Sequence, residues 1–524
     1  MTAALSGRPS SMRYFHLLQG AGEVEVPASD TTAFGCRDWD YACVITGVWP
    51  REEDGTPTAR ATIRWVYDVV DSLLPMCKGV YSADLGPDPR DAELMTRAFG
   101  PNLRRLVGLK QTFDPHRVLP YACPLSQDML PQKVVVLVTG KHAAGKDYCA
   151  NIWASQIRQN GYSSHVVCIS DVTKRNYAVS TGADLNRLLH DRDYKETHRV
   201  RLSGFYQAQL AQRPRLGQEH FLNATKSSDV DVLFITGLRE EAPVSKLWYL
   251  VANVRLIDVR IEANDETRNI HRNRHINGTL IVPEDAREVE VKVTSSEHRP
   301  CFTFSNNVGS GDSICDFAKA NLLPLLSEDL RRLAGMVRSV SDFPRAGIEF
   351  RHVLDICSHA GGIALCTKML KKHYHGNWNE VDAIVSCATG GFVFASPLAQ
   401  AVNVPMVPIC KAGKFPPPTI SVKKRMSHIS SKAHNGVEIE AIESIEIDAN
   451  ALRKGARVVV IDDVLATGRT LQATIELLLK IGVSIEDISV MVVAEFPVHV
   501  GRARLRQFRL GRVGVQSLLV FDGE

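Results

Sequence analysis

The chain is short of several things that would have named its chemistry at once. Its 12 cysteines are scattered with no CxxC pair, which removes the usual spacing of a zinc site and of a disulfide framework. Reduced thiols in a cytoplasmic protein are the expectation. No HExxH stretch occurs. A formal net charge of +4 over 524 residues is too small to argue for a nucleic-acid or membrane partner. The N-terminus, MTAALSGRPSSMRYFHLLQG, has no apolar stretch of signal-peptide length. No window approaches the ~18 uncharged apolar residues of a membrane span. Internal repeats and low-complexity tracts are also missing. The remaining composition, 44% hydrophobic and 23% charged, is that of globular protein, and the length suits about three or four domains.

Chemistry begins at VVVIDDVLATGRT, Val458 to Thr470. Arg457 to Ile461 reads as a strand covered on both faces, because its apolar residues do not alternate. Leu471, Ile475, Leu478 and Leu479 recur at helical spacing, and Gly482 is placed to end that helix. The loop Ala466, Thr467, Gly468, Arg469, Thr470 therefore lies at a helix N-terminus, where free N–H groups and the dipole favour an anion such as phosphate. Asp462 and Asp463 are expected at the carboxyl end of the strand, where open α/β sheets bind ligands. A vicinal acid pair suits either ribose hydroxyls or a hydrated Mg2+.

This stretch resembles the phosphoribosyl-pyrophosphate (PRPP) motif of type I phosphoribosyltransferases. DFPRAGIEFRHV (Asp342–Val353), the segment from Val381 to Thr419 and VVAEFPVHVGRARL (Val492–Leu505) resemble adenine phosphoribosyltransferase in particular. Glu328 to Glu524 is covered. The resemblance implies that Phe350 and Arg351 border an adenine pocket. Thr389 and Gly390 would lie in the pyrophosphate loop, and Lys411 and Lys414 would flank the loop facing the pyrophosphate. Asp462 and Asp463 would hold the ribose hydroxyls with Mg2+, and Ala466 to Thr470 the 5′-phosphate. It further implies attack of adenine on PRPP to give AMP and pyrophosphate, and a homodimer by analogy. Two places depart from the family. Gly390 stands where the pyrophosphate loop has an arginine, and the stretch after Thr419 has no aromatic or acidic lid residue up to Gly436. Lys423, Lys424 and Arg425 offer positive charge there, as a phosphate-facing or solvated loop. PRPP binding is accordingly better supported than turnover.

A second phosphate loop is expected upstream. Val134 to Val138 is an unbroken apolar strand, Asp147 onward reads as helix, and GKHAAGK lies between. Its spacing is that of a P-loop, with Gly140, Lys141, Gly145 and Lys146 around nucleotide phosphates and Asp147 in place of the usual Ser/Thr. GKHAAGKD resembles the P-loop of animal-type phosphomevalonate kinase, which has aspartate there. Leu185–Pro214, Val230–Trp248, Val259–Arg274 and Phe302–Gly309 resemble later segments of that family. The resemblance implies ATP at the P-loop, with Lys195, Arg199, Arg239 and Arg268 around an acceptor and lid, joined by Arg272 and Arg274. Gly237 departs from the family, which has an aspartate there.

Upstream of these, Ala33–Pro50 and Phe99–Pro120 resemble the C-terminal, berberine-bridge segment of FAD-linked oxidases. The chain starts too late to include those enzymes' flavin-holding domain, so no flavin chemistry is expected. A helix from Asp91 to Lys110 should pack Leu94, Leu103, Leu106 and Leu109 on a small sheet. Ser327 reads as an N-cap before a helix carrying Leu330, Leu333, Val337 and Val340. The expected class is α/β: a small α+β remnant over 1–128, a P-loop kinase-like parallel-sheet module over 129–326, and a phosphoribosyltransferase module over 327–524. Three functions stay open: a purine phosphoribosyltransferase with an ATP-binding module, a PRPP- or ATP-binding regulator without turnover, and a small-molecule kinase with a regulatory C-terminal module. All take small-molecule substrates, with neither nucleic acid nor membrane.

Overall fold

The computed structural model describes residues 12–20, 22–24, 26–27, 36–37, 39–77, 79–85, 89–114, 132–238, 247–251, 254–273, 298–307, 311–343, 349–425 and 442–521, with single residues 8, 32, 118 and 125. The chain divides into two compact units, Met1–Leu130 with Asn160–Ser163, and Pro131–Gln159 with Ser164–Glu524.

In the first unit β1 (Tyr14–Gln19) and β2 (Tyr41–Thr46) pair antiparallel. The helix Pro57–Leu73 starts at Thr56, whose side chain accepts the Ala59 N–H. This helix packs against β2, and its Trp65 ring stacks on Phe15 with centroids 5.7 Å apart. The helix expected over Asp91–Lys110 is instead two helices, Pro89–Phe99 and Leu103–Phe113, split by the turn Gly100–Asn102. Pro101 has no N–H to continue a helix, and Gly100 takes a φ of +50°. Leu103 is buried in a cluster with Met95, Ala98, Phe99 and Val107, and Leu106 is partly buried against it. Leu94 is half-buried. Leu109 is 43% exposed, contrary to its expected place in a core.

The second unit holds a five-stranded and a seven-stranded sheet. Strands β3 (Lys133–Thr139), β4 (Ser164–Cys168), β5 (Val232–Thr236), β6 (Val254–Glu262) and β7 (Phe302–Ser305) form a five-stranded, all-parallel sheet in the order β4-β5-β3-β6-β7. Helices cover such sheets on both faces, which is why β3 and β5 read as unbroken apolar runs. Trp153 of the helix Lys146–Gln159 is fully buried here, with the Phe304 ring 5.8 Å away. Burying a side chain of that size contributes roughly 2–3 kcal/mol.

Ser327 does occupy the N-cap of Glu328–Gly335, but its hydroxyl makes no capping bond and the helix ends at Gly335. Val340 lies in a strand, β8 (Arg338–Ser341), paired antiparallel with β9 (Glu349–His352). The β-branched Val337 and Val340 are stiff at χ1 and suit extended backbone better than the helix expected there.

The larger sheet contains β10 (Ala383–Cys387), β11 (Met406–Lys411), β12 (Thr419–Arg425), β13 (Ile442–Asp448), β14 (Val458–Leu465), β15 (Ile488–Glu495) and β16 (Gly514–Val520). Its order is β12-β13-β11-β10-β14-β15-β16, with β12 and β13 antiparallel at one edge. Lys423 to Arg425 therefore belong to an edge strand, not to the expected loop. From β10 the chain crosses through the helix Gly390–Val402 to β11 on one side. From β14 it crosses through the helix Arg469–Ile481 to β15 on the other. The gap between β10 and β14 is thus the point where the winding reverses, the usual ligand crevice of such sheets. Among the described residues no helix is long and apolar enough to cross a membrane.

Candidate active site

The acid pair sits at that reversal. Pairing of β14 with β10 stops at Ile461, opposite Ser386, while pairing with β15 runs on to Leu465. The strand thus continues past Asp462 and Asp463 rather than ending at them. From Asp462 onward its β10 side is open, and the start of the Gly390–Val402 helix fills the opening. A Cβ at Gly390 would collide with the Asp463 carboxylate, and one at Gly391 with Ser386 Oγ and the Asp462 carboxylate. The two glycines are what let both carboxylates lie against the loop. The Ala388–Thr389 peptide before them is cis.

Electrostatically the pair is tense. Asp462 is 9% exposed, and burial, followed by the charge of Asp463, holds its carboxyl well above the usual range. A ligand that donates hydrogen bonds or brings positive charge would relieve that cost. The donor chemistry of the pair therefore fits a sugar diol or a hydrated divalent cation. Ser386 is fully buried with an unpaired hydroxyl.

The loop after β14 turns through Gly468, whose φ is +72°, into the helix Arg469–Ile481. Leu471, Ile475 and Leu478 face the core, whereas Leu479 is 37% exposed. Gly482 ends the helix in the left-handed conformation, as its spacing predicts. Thr467 is 8% exposed. The loop rests on Gly501: a Cβ on Gly501 would collide with Ala466 O, and one on Gly468 would come to 2.9 Å of Gly501 O. The contact is backbone on backbone, so neither position has room for a side chain.

Across the crevice, Lys411 at the end of β11 pairs with Glu443 at 2.9 Å and is 70% exposed. Lys424 reaches the same carboxylate at 3.5 Å. The lysine contacts, Lys411 first, hold Glu443 below its ordinary pKa. The turn bearing Lys414 is anchored by Glu446, whose Oε1 accepts the N–H groups of Gly413, Lys414 and Phe415 at 2.7, 2.8 and 3.0 Å. These bonds, Phe415 first, lower the Glu446 pKa. Phe350 and Arg351 lie on β9, the Phe350 ring 5.1 Å from that of Phe343 and the Arg351 guanidinium 5.5 Å from the Phe521 centroid.

The upstream loop folds as the spacing predicts, between β3 and the helix Lys146–Gln159. Gly140 and Gly145 take φ of +134° and +93°, and a Cβ on Gly140 would collide with the Ile261 backbone. Lys146 Nζ donates to Gly140 O at 2.8 Å and to Lys141 O at 2.9 Å, and burial lowers its pKa. Lys141 and Asp147 are exposed. The Lys195 pKa is lowered, by desolvation first and then by Lys174, with Cys168 and Asp147 acting the other way. Arg199 instead pairs with Glu196 at 3.2 Å and Arg268 with Asp265 at 2.8 Å. At Gly237, where φ is +72°, a Cβ would come to 2.6 Å of Cys168 Sγ, so this backbone leaves no place for the family's aspartate. Arg239 and Arg274, and the side chain of Arg272, lie outside the described residues.

Reasoning from the sequence does not single out Glu446, Ser386 or Gly501. Only Gly501 carries a local signal, a glycine directly after the β-branched Val500.

The sequence model of the phosphoribosyl transferase domain matches residues 352–501, and that of phosphomevalonate kinase matches residues 138–252. Adenine phosphoribosyltransferase of Roseiflexus castenholzii is 34% identical over 176 residues, which is 34% of this chain and 93% of that protein. The Yersinia pestis enzyme of the same name is 30% identical over 197 residues, 38% of this chain and 95% of its own. A crystal structure of adenine phosphoribosyltransferase from Thermoanaerobacter pseudethanolicus shares 30% identity, covers 37% of this chain and 99% of its own, and has a TM-score of 0.31. Through its seven-stranded module, the chain belongs to the adenine phosphoribosyltransferase family.

Proposed function

We propose that the C-terminal module transfers phosphoribose from PRPP to a purine base of the adenine type, releasing pyrophosphate. The observation that carries this reading is the acid pair, Asp462 buried and Asp463 partly buried, seated on Gly390 and Gly391 at the winding reversal just before the loop braced by Gly501. Asp462 and Asp463 hold the ribose hydroxyls, and the N–H groups of 466–470 take the 5′-phosphate. Mg2+ held by the diphosphate and this acid pair would offset charge on the departing group. Lys411 and Lys414 face the diphosphate, with Glu446 fixing the turn that carries Lys414. Phe350 and Arg351 border the base. The transition state is oxocarbenium-like, so positioning and charge stabilisation are what the protein supplies.

A specific feature favours a second reading, PRPP binding without turnover. Gly390 replaces the family's arginine, and the Asp463 carboxylate occupies the space beside it. Losing one charged contact to a transition state typically costs about 100-fold in rate. Incubating the full chain with Mg-PRPP and labelled adenine, guanine or hypoxanthine separates the readings. Nucleotide formed from adenine supports transfer; binding with no product from any base supports the sensor.

For residues 129–326 the proposal is ATP at the P-loop, with Lys146 on the phosphates, and an acceptor near Lys195. The phosphomevalonate kinase match and the loop geometry support it. An assay with ATP and 5-phosphomevalonate tests it. Residues 1–128 are proposed as the remnant of an FAD-linked oxidase, on sequence resemblance alone. A homodimer in the cytoplasm completes the reading.

A further inference from the structure

Within the larger unit the five-stranded module meets the seven-stranded one along β16. Arg255, 5% exposed, donates to Leu518 O. His375 Nδ1 lies 3.1 Å from Cys301 O, and its ring centroid is 4.0 Å from that of Phe302. The Arg502 guanidinium lies over Trp248 at 4.7 Å while bound to both Glu495 oxygens, at 2.7 and 2.8 Å.

Beside this seam is a cavity of about 300 Å³, at the small end for ligand pockets. Arg457, Ser489 and Gly514 place it at the amino ends of β14, β15 and β16, the opposite end from the acid pair. The P-loop, at the carboxyl end of β3, does not contribute to it.

The charges already matched define what the cavity has left to offer. Its three acidic side chains all face arginines: Glu380 and Asp487 face Arg457, and Glu486 faces Arg512. Arg502 is matched by Glu495, and His298 by Asp258 at 2.6 Å; Arg506 also lines the cavity. The His375 residue is exposed, but desolvation, with the charges of Arg255 and Arg299, lowers its pKa and keeps the ring neutral near pH 7. Arg299 is different. Its side chain packs over Gly514, and the residue is exposed. It donates to the Glu486 carbonyl at 3.4 Å and, among the described residues, makes no ion pair, although behind the Ser484 hydrogen bond its charge, with that of Arg512, helps lower the Glu486 pKa. A guanidinium keeps its charge and offers a planar fork that suits a phosphate oxygen pair. Tyr374, Asn377 and Gln516 supply further polar groups around it.

We propose that this inter-module cavity, with Arg299 as its anchor, binds a small phosphate-bearing anion and is separate from both phosphate loops. Any small phosphate ester shares the chemistry, and inorganic phosphate is the simplest probe.

The experiment is hydrogen exchange of the full chain with and without millimolar phosphate. Peptides spanning 298–301 and 510–516 should exchange several-fold more slowly with phosphate. Arg299→Met should remove that protection, and Arg299→Lys, which keeps the charge, should retain part of it. Exchange of both variants without phosphate should match the parent, since the side chain is exposed. Protection confined to 140–147 and 466–470 would overturn the proposal, as would cavity protection that survives Arg299→Met. The 466–470 peptide reports on the sugar-phosphate site separately, so failure of one assignment is not failure of the other.

Discussion

Between β3 and the helix Lys146–Gln159 the loop carries a lysine that folds back on it, bonded to the carbonyls of Gly140 and Lys141. Between β14 and the helix Arg469–Ile481 no lysine is folded in; two acids precede the loop, and a glycine from another segment braces it. Both are strand–loop–helix turns with left-handed glycines, but the first is clamped from within by its own lysine, with the Ile261 backbone against Gly140 and the Asn306 amide donating to Ala144 O at 2.9 Å. The second has no such clamp and is assembled from β10, β14 and the residues after β15. Removing that lysine removes the first loop's inner clamp. An assembled loop can be damaged from several distant positions.

The largest expected effect comes from that difference. Asp463→Asn should weaken PRPP binding by roughly 100-fold or more, because a charged partner is lost in a water-poor site; calorimetry measures it, and ATP binding should be unchanged. Lys146→Ala is the mirror experiment. ATP affinity should fall below detection while PRPP affinity stays at the parent value, and any fall in PRPP affinity would mean the loops are not independent.

A smaller effect is expected at the brace. Gly501→Ala places a methyl where Ala466 O lies, so the loop must shift. The cost should be about 1–3 kcal/mol, the range for overpacking, read as roughly 10-fold weaker PRPP binding with ATP binding intact. The upstream loop has distant contacts of its own, at Ile261 and Asn306, which Gly501→Ala leaves untouched.

The smallest effect is on stability. Because the folded pKa of Asp462 is raised, the folded state holds its proton to higher pH than the unfolded chain does. Stability is therefore lost as pH climbs from the ordinary carboxylate range through the raised value. Asp462→Asn removes that loss. The unliganded protein should melt roughly 2–4 °C higher at about pH 8, with the gain shrinking toward about pH 4, although the sugar site is spoiled.

The same contrast separates the features that are legible in the amino-acid sequence from those that are not. Both loops are legible because strand, glycine spacing and helix are contiguous, and Asp462 and Asp463 are legible because they adjoin one of them. Glu446 is not: its task depends on β13 returning beside the turn after β11, which no local pattern states. The brace at Gly501 lies 33 residues beyond Gly468 in the numbering, and the Trp248–Arg502 contact joins separate modules. Two differences between sequence and fold are local. At Gly100-Pro101 leucine spacing masks a plain stop signal, and at Val340 the same periodicity runs on into a β-branched stretch that forms a strand. The charge of Lys423 to Arg425 suggests a phosphate-facing or solvated loop, while Val422 and Ile445 pair in register and bury that edge.

A crystal of the full chain soaked with Mg-PRPP tests the central claim most directly. The sugar hydroxyls should lie against Asp462 and Asp463 with the 5′-phosphate on residues 466–470. An empty crevice there, or PRPP bound only elsewhere, would contradict the assignment.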